Sequence, residues 1–430
     1  MHISSLQYNC LISITILIGF ISLLLIGQSI NVFGQIGKNS QVPQLNDTAL
    51  QVQVSAPPGL KFPTGMGFLG PDDILVIEKN TGKVKEVKNG TVSGTVLDVN
   101  VANVSERGLL GIAISDKPKY VFLFYTETEN VDGGKVLGNR LYRYEYDNGR
   151  LINPKLLLDL PTIPGPSHNG GVLKIGPDKK SVYLVIGNLN YVQNQSYITK
   201  AQNNKNGPPP DGRGGVLRIT FDGGVVGNKG LLGGEDPLNK YYAYGIRNSF
   251  GIGFDPLTGN LWETENGRST DDEINIALPG FNGGWKEVIG FSKDTPGFNK
   301  ENLEDFGGKG TYRDPEFVWR DTVAPTSVLF LHTDNLGPKY KDTLLVGSVK
   351  NGTIFNFPLD KTRTHLVLSG PLSDKQADTN TNNETNSVIF GRNFGVITDL
   401  QVGPDGNLYV LSNYKRDGTI FKISTKNNIN

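Results

Sequence analysis

One local pattern recurs through the chain and limits the folds that it can adopt. Each copy has an apolar residue, a turn containing Pro, Asp or Gly, and then an alternating run of β-branched and aromatic residues, which is typical of a hairpin that feeds a strand. The six copies are FLGPDDILVIE at 68–78, AISDKPKYVFLFY at 113–125, KIGPDKKSVYLVIG at 174–187, GFDPLTGNLWETE at 253–265, KYKDTLLVGSV at 339–349 and QVGPDGNLYVLS at 401–412. Their spacing of roughly 45 to 90 residues leaves room for a four-stranded unit and a variable loop.

This repeat predicts an all-β fold, namely a six-bladed β-propeller of four-stranded antiparallel blades. In a propeller each blade is one small sheet, and the ring leaves no long free edge. The glycine content agrees with many turns, because 54 of the 430 residues are glycine, against a usual share of about 7%. An irregular multi-sheet protein, with chance similarity between its turns, stays the alternative.

The N-terminal region carries an export signal. Residues 11–26 form the uninterrupted apolar run LISITILIGFISLLLI. This run is shorter than the roughly 20 residues that a spanning helix needs and fits the core of a signal peptide. We interpret residues 1–34 as a signal peptide or N-terminal anchor, residues 35–54 as a linker and residues 55–426 as the propeller. No Lys or Arg precedes Lys38, so an uncleaved membrane anchor stays open, and in either case the remainder is extracellular or at the cell surface.

Composition and motifs narrow the classes of function. Lys+Arg and Asp+Glu balance at 42 each, so no basic footprint for nucleic acid is present. The single cysteine, Cys10, lies in the apolar run, which leaves the exported domain without disulfides. The sequence has no P-loop, dinucleotide-binding glycine fingerprint, HExxH, GxSxG or CxxC. NAD-dependent and serine-nucleophile chemistry therefore have no support.

Two positively charged or titratable side chains lie on predicted loops. His168 stands before the Gly170–Gly171 pair at the entry to a strand, where an imidazole that titrates near neutrality suits a general base. Its plainer interpretation is a turn histidine bonded to backbone. Arg247 and Asn248 follow the tyrosine-rich stretch 241–245. A guanidinium is a planar fork for carboxylate or quinone oxygens, although an arginine here could equally pair with an acid across two blades.

Oxygen-bearing side chains cluster in the next loop. Residues 265–268 read Glu-Asn-Gly-Arg, and residues 271–273 read Asp-Asp-Glu. Oxygens around a flexible glycine suit a hard cation such as calcium, but the spacing is not that of an EF-hand, and a solvated acidic loop is the plainer interpretation. Lys350 lies on a turn after an apolar strand, where a lysine ordinarily faces solvent.

Taken together, the motifs resemble a known family. The segments that carry the resemblance are GLLGIAIS (108–115), HNGGVLKIGPD (168–178), GGVLRITFDG (214–223), YGIRNSFGIGFDP (244–256), ENGRSTDDEIN (265–275), GGW (283–285), APTS (324–327) and GPDGNLYVLS (403–412). In this order, over roughly residues 55–425, the chain resembles the soluble quinoprotein glucose/sorbosone dehydrogenase family. The resemblance implies the same six-bladed propeller that the repeats predict.

The resemblance also implies a cofactor, a metal and a reaction. The cofactor is pyrroloquinoline quinone (PQQ) above a calcium ion, and the substrate is an aldose sugar whose electrons pass on to an external acceptor. His168 takes the hydroxyl proton while hydride leaves C1 for the quinone, giving a lactone, and Arg247 is the second catalytic residue. The implied cofactor contacts are Asn248, Asn266, Thr322, Lys350 and Arg392. The implied calcium ligands are Gly267, Arg268 and Asp272.

The chain departs from the family pattern in two places. Val396 and Thr398 stand where the family has arginines that bind the cofactor carboxylates, and only Asp399 of that motif remains. Each lost charge-assisted hydrogen bond is worth about 1.5–3 kcal/mol, and Arg392 is the candidate substitute. The family's Gly-Asp-x-Gly reads Gly-Asn-Leu-Asn at 187–190. A non-catalytic propeller that binds a glycan or protein at its top face therefore stays open, as does a calcium-dependent lactonase-type hydrolase.

Overall fold

The computed structural model describes residues 42–189, 197–379, 384–415 and 417–426. The predicted signal peptide or anchor at 1–34, with Cys10, lies outside these residues. Within them no helix is long and apolar enough to cross a membrane. The helical segments of this part of the chain are 3-10 turns at Lys200–Gln202, Leu238–Lys240, Ser292–Asp294, Lys300–Asn302, Lys350–Gly352, Gly370–Leu372 and Glu384–Val388.

All the longer elements of the described residues are β-strands. In chain order they are β1 Gln44–Leu45, β2 Leu50–Leu60, β3 Pro63–Gly70, β4 Asp73–Glu78, β5 Lys83–Lys88, β6 Thr91–Asp98, β7 Leu109–Ile114, β8 Tyr120–Thr128, β9 Val136–Asp147, β10 Arg150–Leu160, β11 Leu173–Ile175, β12 Ser181–Ile186, β13 Gly215–Thr220, β14 Tyr241–Tyr244, β15 Ser249–Phe254, β16 Leu261–Glu265, β17 Thr270–Ala277, β18 Phe281–Asn282, β19 Thr311–Tyr312, β20 Phe317–Asp321, β21 Pro325–Phe330, β22 Leu344–Ser348, β23 Ile354–Phe357, β24 Gln376–Ala377, β25 Ile389–Arg392, β26 Val396–Val402, β27 Leu408–Tyr414 and β28 Asp417–Thr425.

The strands of the described residues pair into six sheets, which we number I to VI along the chain. Their strand orders are β3-β4-β5-β6 (I), β7-β8-β9-β10 (II), β11-β12-β13-β14-β18-β19 (III), β15-β16-β17-β20-β24 (IV), β21-β22-β23-β25-β1 (V) and β26-β27-β28-β2 (VI). Sheet VI joins the two ends of the domain, because Leu50 of β2 pairs with Thr425 of β28. This pairing closes the ring.

The expectation of six four-stranded antiparallel blades is wrong, although the fold is an all-β propeller. Only sheets I, II and VI have four strands each, whereas sheets III, IV and V have six, five and five. The pairs β14–β18, β18–β19 and β20–β24 are parallel. The strands added to sheets III and IV, namely β18, β19 and β24, are two residues long and come from the long connections at 278–316 and 358–388. The fifth strand of sheet V is the two-residue β1, which precedes β2 in the chain. Residue alternation reveals hairpins but not such short strands, since a two-residue segment has no periodicity.

The first strands of the six sheets line the centre of the ring. Strands β3, β7, β11, β15, β21 and β26 each contact the next, and β26 contacts β3. One hydrophobic cluster lies between each pair of neighbouring sheets, and each fully buried large apolar side chain there stabilises the fold by about 1.5–3 kcal/mol. All six copies of the recurring sequence pattern form the connection between the first and second strands of a sheet.

The domain begins earlier than the sequence predicts. Residues 35–54 were expected to be a linker, but from Gln44 onward they enter two sheets. Gln44 pairs with Arg392, and β2 pairs with β28. These residues become strands because their backbone pairs with distant strands. Residues 44–54 have no counterpart in the recurring sequence pattern, so the sequence did not indicate that they belong to the domain.

Candidate active site

The predicted site residues lie at one end of the ring, which we call the upper face. There the first strand of each sheet begins and the second strand ends, because these two strands are antiparallel. His168 and Arg247 lie in loops that enter first strands β11 and β15, and Thr322 lies in the loop that enters β21. Asn266 and Lys350 follow second strands β16 and β22. The upper face therefore collects residues that are far apart in sequence.

His168 is buried and held on both its backbone and its ring. The residue is 3% exposed, and its backbone has a positive φ of 60°. The backbone N–H donates to Oε2 of Glu106 at 2.5 Å, and Nδ1 lies 2.6 Å from Oδ1 of Asn188. Burial lowers the pKa of His168 to about 4, and the charge of Arg247 acts in the same direction, whereas the Asn188 contact acts against them. The ring is therefore neutral at neutral pH.

The Arg247 guanidinium lies over the loop that follows β16. Its Nη1 donates to the carbonyl oxygens of Asn266 at 2.7 Å and Gly267 at 3.2 Å. Its Cζ lies 5.5 Å from the ring centroid of Trp285, within the range of a cation–π contact. The side chain is thus a fixed, largely buried cation close to His168.

Glu265 fixes the backbone of the Arg247–Asn248 pair. Its Oε2 accepts from the N–H of Arg247 at 3.0 Å and its Oε1 from the N–H of Asn248 at 2.5 Å. Burial raises the pKa of Glu265 to about 7, against these two hydrogen bonds. The side-chain oxygen of Asn248 is buried and has no hydrogen-bond partner among the described residues. An unsatisfied buried amide oxygen is costly, which marks this position as one where a bound group could supply a partner.

Asp272 connects the candidate metal loop to the loop that enters β21. Its Oδ1 accepts from the N–H of Gly267 at 2.9 Å, and its Oδ2 accepts from Val323 and Ala324 at 2.7 and 2.8 Å. A carboxylate has about four acceptor sites, so these three donors leave capacity at Oδ1, and the role of Asp272 as a calcium ligand stays a prediction. Across the described residues no group of three or more His, Cys, Asp or Glu side chains could hold a metal. Any metal at this loop would depend on backbone carbonyls such as those of Gly267 and Arg268.

The remaining predicted cofactor contacts divide into two places. Lys350 is exposed and its ammonium donates to the hydroxyl of Thr322, so these two residues meet. The charge of Lys350 also acts on Asp272, which places this pair beside the Asp272 loop. Arg392 ends β25, which lies between β23 and β1, and donates to the side-chain oxygen of Asn386 at 2.6 Å. Within the part of the chain that the structure describes, Arg392 makes no hydrogen bond or ion pair with the other predicted site residues.

Sequence reasoning missed Glu106 as a member of this site. Besides the backbone of His168, its carboxylate receives an interaction from Asn169, and it interacts electrostatically with Arg247 and Lys79. Burial raises the pKa of Glu106 to about 7, and burial lowers the pKa of Lys79 to about 8. The sequence signal for Glu106 is its place three residues before the first strand of sheet II, in a loop of the same kind as the one that carries Arg247 before the first strand of sheet IV.

The positions of the two missing arginines are at the inner strand of sheet VI. Val396 begins β26 and Thr398 lies along the central channel. Asp399, the residue that remains from the family motif, accepts from the backbone N–H of Met66 at 3.0 Å and so joins sheet VI to sheet I. Its survival is therefore accounted for by a structural contact.

Comparison with known proteins identifies the family. The model of the Glucose / Sorbosone dehydrogenase family matches residues 60–422. Quinoprotein glucose dehydrogenase B of Acinetobacter calcoaceticus is 28% identical over 82% of this chain and 84% of its own. Aldose sugar dehydrogenase YliI of Escherichia coli is 24% identical over 86% of this chain and 91% of its own. The PQQ-bound aldose sugar dehydrogenase structure from Streptomyces coelicolor covers 90% of this chain and 100% of its own, with a TM-score of 0.62 at 22% identity, which bears on fold alone.

The fold and these sites define a β-propeller oxidoreductase. The chain belongs to the glucose/sorbosone dehydrogenase family, since the family model spans most of its length. The resemblance drawn from the sequence motifs is thereby confirmed, as is an enzyme of the sugar dehydrogenase type.

Proposed function

We propose that this protein is an exported, PQQ- and calcium-dependent aldose dehydrogenase that oxidises the C1 hydroxyl of a sugar to the lactone. Electrons then pass to an external acceptor. The observation that carries the proposal is the buried, neutral imidazole of His168, held at Nδ1 and placed beside the guanidinium of Arg247. The quinoprotein named among the relatives supports the choice of cofactor.

The two side chains divide the work on the sugar hydroxyl. A neutral imidazole can accept the hydroxyl proton, and general base catalysis of this kind contributes about 10²–10⁴-fold. The cation of Arg247 stabilises the negative charge that develops on the sugar oxygen as that proton leaves. Bound PQQ supplies a two-electron acceptor for the hydride of C1. Burial of His168 keeps water from competing for the base.

Residues of the upper face fit the cofactor and the metal. Asn248 offers a buried amide oxygen without a partner in the described residues, and Lys350 offers an exposed cation next to Thr322. With Asn266 they would hold the cofactor. The carbonyls of Gly267 and Arg268 would contribute to a calcium site, and the remaining ligands would come from the cofactor and water. We retain Arg392 as a candidate for the cofactor carboxylates.

The test measures binding and turnover together. The protein is titrated with PQQ, with and without calcium, while dye reduction is followed with a panel of aldoses. We expect saturable, calcium-dependent reduction that His168→Ala lowers by at least about 10²-fold with cofactor binding retained. His332→Ala is the matched control, because His332 is exposed and paired with Asp342. Full activity in His168→Ala would contradict the assignment of the base.

The loss of the family arginines at Val396 and Thr398 favours one second candidate, a non-catalytic propeller that binds a glycan or protein at its upper face. A folded protein that neither binds PQQ nor reduces dye would support this candidate. Opening of lactones without any quinone would instead indicate a hydrolase. Export through residues 1–34 belongs to the proposal, and processing at that segment would be read from the N-terminal sequence of the protein recovered outside the cell.

A further inference from the structure

Four large apolar residues stand exposed in loops of the upper face. These residues, which we call the apolar rim, are 55–63% exposed, namely Phe62, Val104, Val131 and Ile163. Phe62 lies between β2 and β3, Val104 between β6 and β7, Val131 between β8 and β9, and Ile163 between β10 and β11. A single exposed apolar residue is ordinary, whereas several on adjoining loops indicate a contact surface.

Hydrogen bonds join these loops to one another beside the candidate active site. The N–H of Lys79 donates to the carbonyl of Phe62 at 3.0 Å, and its ammonium donates to the carbonyl of Ser105 at 2.7 Å. Nη2 of Arg107 donates to the carbonyl of Gly165 at 2.7 Å. The loops that enter sheets I, II and III are therefore joined in series. The loops of sheets II and III also carry the base and the carboxylate that accepts from its backbone, so the rim borders the site.

The chain also enters the domain at this face. Gln44, the first residue of β1, pairs with Arg392, the last residue of β25. The next residue, Asn393, donates its N–H to the carbonyl of Asn351 at 3.3 Å, in the turn that follows second strand β22. Because second strands end at the upper face, Gln44 lies at the upper end of sheet V.

The sequence before Gln44 is long enough to connect this end of the sheet to a membrane. Residues 1–41 include the apolar run at 11–26, which the sequence assigns to a signal peptide or an anchor. Residues 27–43, between this run and β1, can span at most roughly 55–60 Å when fully extended. An anchor retained at 11–26 would therefore keep Gln44 within this distance of the bilayer.

We propose that the apolar rim lies on the surface of the lipid bilayer that holds the N-terminal anchor, so that the upper face is turned toward the membrane. The inference rests on the proposed function for export of the chain, with residues 11–26 retained. The anchor limits the distance of the domain from the bilayer but not its orientation, which the rim sets by burying apolar side chains in the headgroup region. Exposed charges of both signs flank the rim, with Lys61 beside Phe62 and Asp132 beside Val131, so apolar contact rather than attraction to anionic lipid carries the binding.

The rim covers one half of the upper face and leaves room for the sugar. Its residues belong to loops of sheets I, II and III, whereas Thr322 and Lys350 lie in loops of sheet V. The domain would therefore tilt toward the bilayer on the side of sheet II and leave the side of sheet V open to water.

Quenchers carried by the lipid test this orientation in the full chain. In a Cys10→Ser background, one fluorophore is attached at Ser105→Cys beside the rim, or at Leu257→Cys in the turn between β15 and β16 at the opposite face. The protein is reconstituted into phosphatidylcholine vesicles whose acyl chains carry nitroxides. We expect quenching at position 105, and at least several-fold less quenching at position 257.

Substitutions in the rim separate apolar contact from tethering alone. Phe62→Asn, Val104→Ser and Ile163→Ser together should abolish most of the quenching at position 105, because polar side chains gain nothing from leaving water. Leu257→Ser combined with Val367→Ser is the matched control, since these two residues are exposed to a similar degree at the opposite face. This control should leave the quenching at position 105 unchanged.

The inference is overturned by equal quenching at the two positions, by quenching at position 105 that the rim variant leaves unchanged, or by a chain that the vesicles do not retain. A retained chain without quenching at position 105 would also overturn it and would leave the rim to a protein partner. If dye reduction fails with every aldose while the quenching is as expected, the proposed sugar oxidation fails and the orientation on the bilayer stands.

Discussion

The carboxylate of Glu265 holds Arg247 by its backbone, with Oε2 3.0 Å from the amide nitrogen of Arg247. Oε1 makes the same kind of bond to the next residue, Asn248. One side chain at the end of β16 thereby fixes the backbone conformation of the loop that enters β15. The guanidinium of Arg247 in turn donates to carbonyl oxygens of the loop after β16, so hydrogen bonds in both directions join the two loops.

Replacing Glu265 should weaken the hydrogen bonding between these two loops. In Glu265→Gln one backbone N–H would face an amide N–H, which should lower the free energy of unfolding by about 1–3 kcal/mol and reduce turnover. Urea unfolding and dye reduction are the measurements. Glu263→Gln is the matched control, since burial raises the pKa of Glu263 well above its ordinary range and a neutral amide resembles its protonated form. Equal losses in both variants would argue against a specific role for Glu265.

Arg247→Lys tests the need for a forked cation. A lysine keeps the charge but lacks the planar, five-donor guanidinium, of which Nη1 alone donates to the Asn266 and Gly267 carbonyls and the other N–H groups are left for substrate or cofactor. We expect turnover per molecule to fall by about 10²-fold or more, in the range seen when a preorganised hydrogen-bond donor is removed. Arg320→Lys is the control, because that arginine pairs with Asp271 and Asp294 on the same side of the domain. Activity of Arg247→Lys within a few-fold of wild type would refute the assignment.

Restoring a cation at Val396 should strengthen cofactor binding. One regained charge-assisted hydrogen bond is worth about 1.5–3 kcal/mol, so Val396→Arg should tighten PQQ binding by roughly 10- to 100-fold in an absorbance titration. Arg392→Gln gives the complementary result. If Arg392 replaces the lost arginines, its removal should weaken binding by a similar factor. No change in Arg392→Gln would leave this side chain with its Asn386 contact alone.

Glu273 should make the protein less stable as pH rises. Burial raises the pKa of Glu273 from its ordinary 4.5 to about 8, opposed by Asn275 and reinforced by Glu265. Between these values the folded state keeps a proton that the unfolded state releases, so the free energy of unfolding falls with rising pH. Over pH 5 to 8, in a chelator, the fall should be on the order of a few kcal/mol. Glu273→Gln should flatten this dependence.

Glu316 provides a control, because its pKa is shifted in the opposite direction from that of Glu273 and its effect on stability should have the opposite pH dependence. Burial acts to raise its pKa, but hydrogen bonds from Arg313 and Lys375 keep the pKa below its ordinary value. Its contribution is therefore present at neutral pH and lost in acid. Glu316→Gln should cost stability at pH 7 and cost progressively less toward pH 4. A Glu273→Gln variant with the same pH profile as Glu316→Gln would contradict the buried-carboxylate explanation.

The hydrogen-bond partners of Asp272 show where sequence reasoning stops. Its carboxylate accepts from three backbone amides, two of which are 51 and 52 residues away. Sequence spacing gives no access to such donors. Glu106 shows the converse, because an acid with no local motif is brought to His168 across a separation of 62 residues.

The sequence by itself determined the turns, the strand alternation and the loops that carry His168, Arg247, Asn266 and Lys350. These follow from local rules, since a hairpin and its alternation are encoded within about a dozen residues. Only the tertiary structure decided the added strands of sheets III, IV and V, the entry of β1 and β2 into sheets, and the partners of His168. These features depend on contacts between segments that are far apart in sequence. The geometry of the closed ring brings those segments together, and the local residues alone do not specify the pairing.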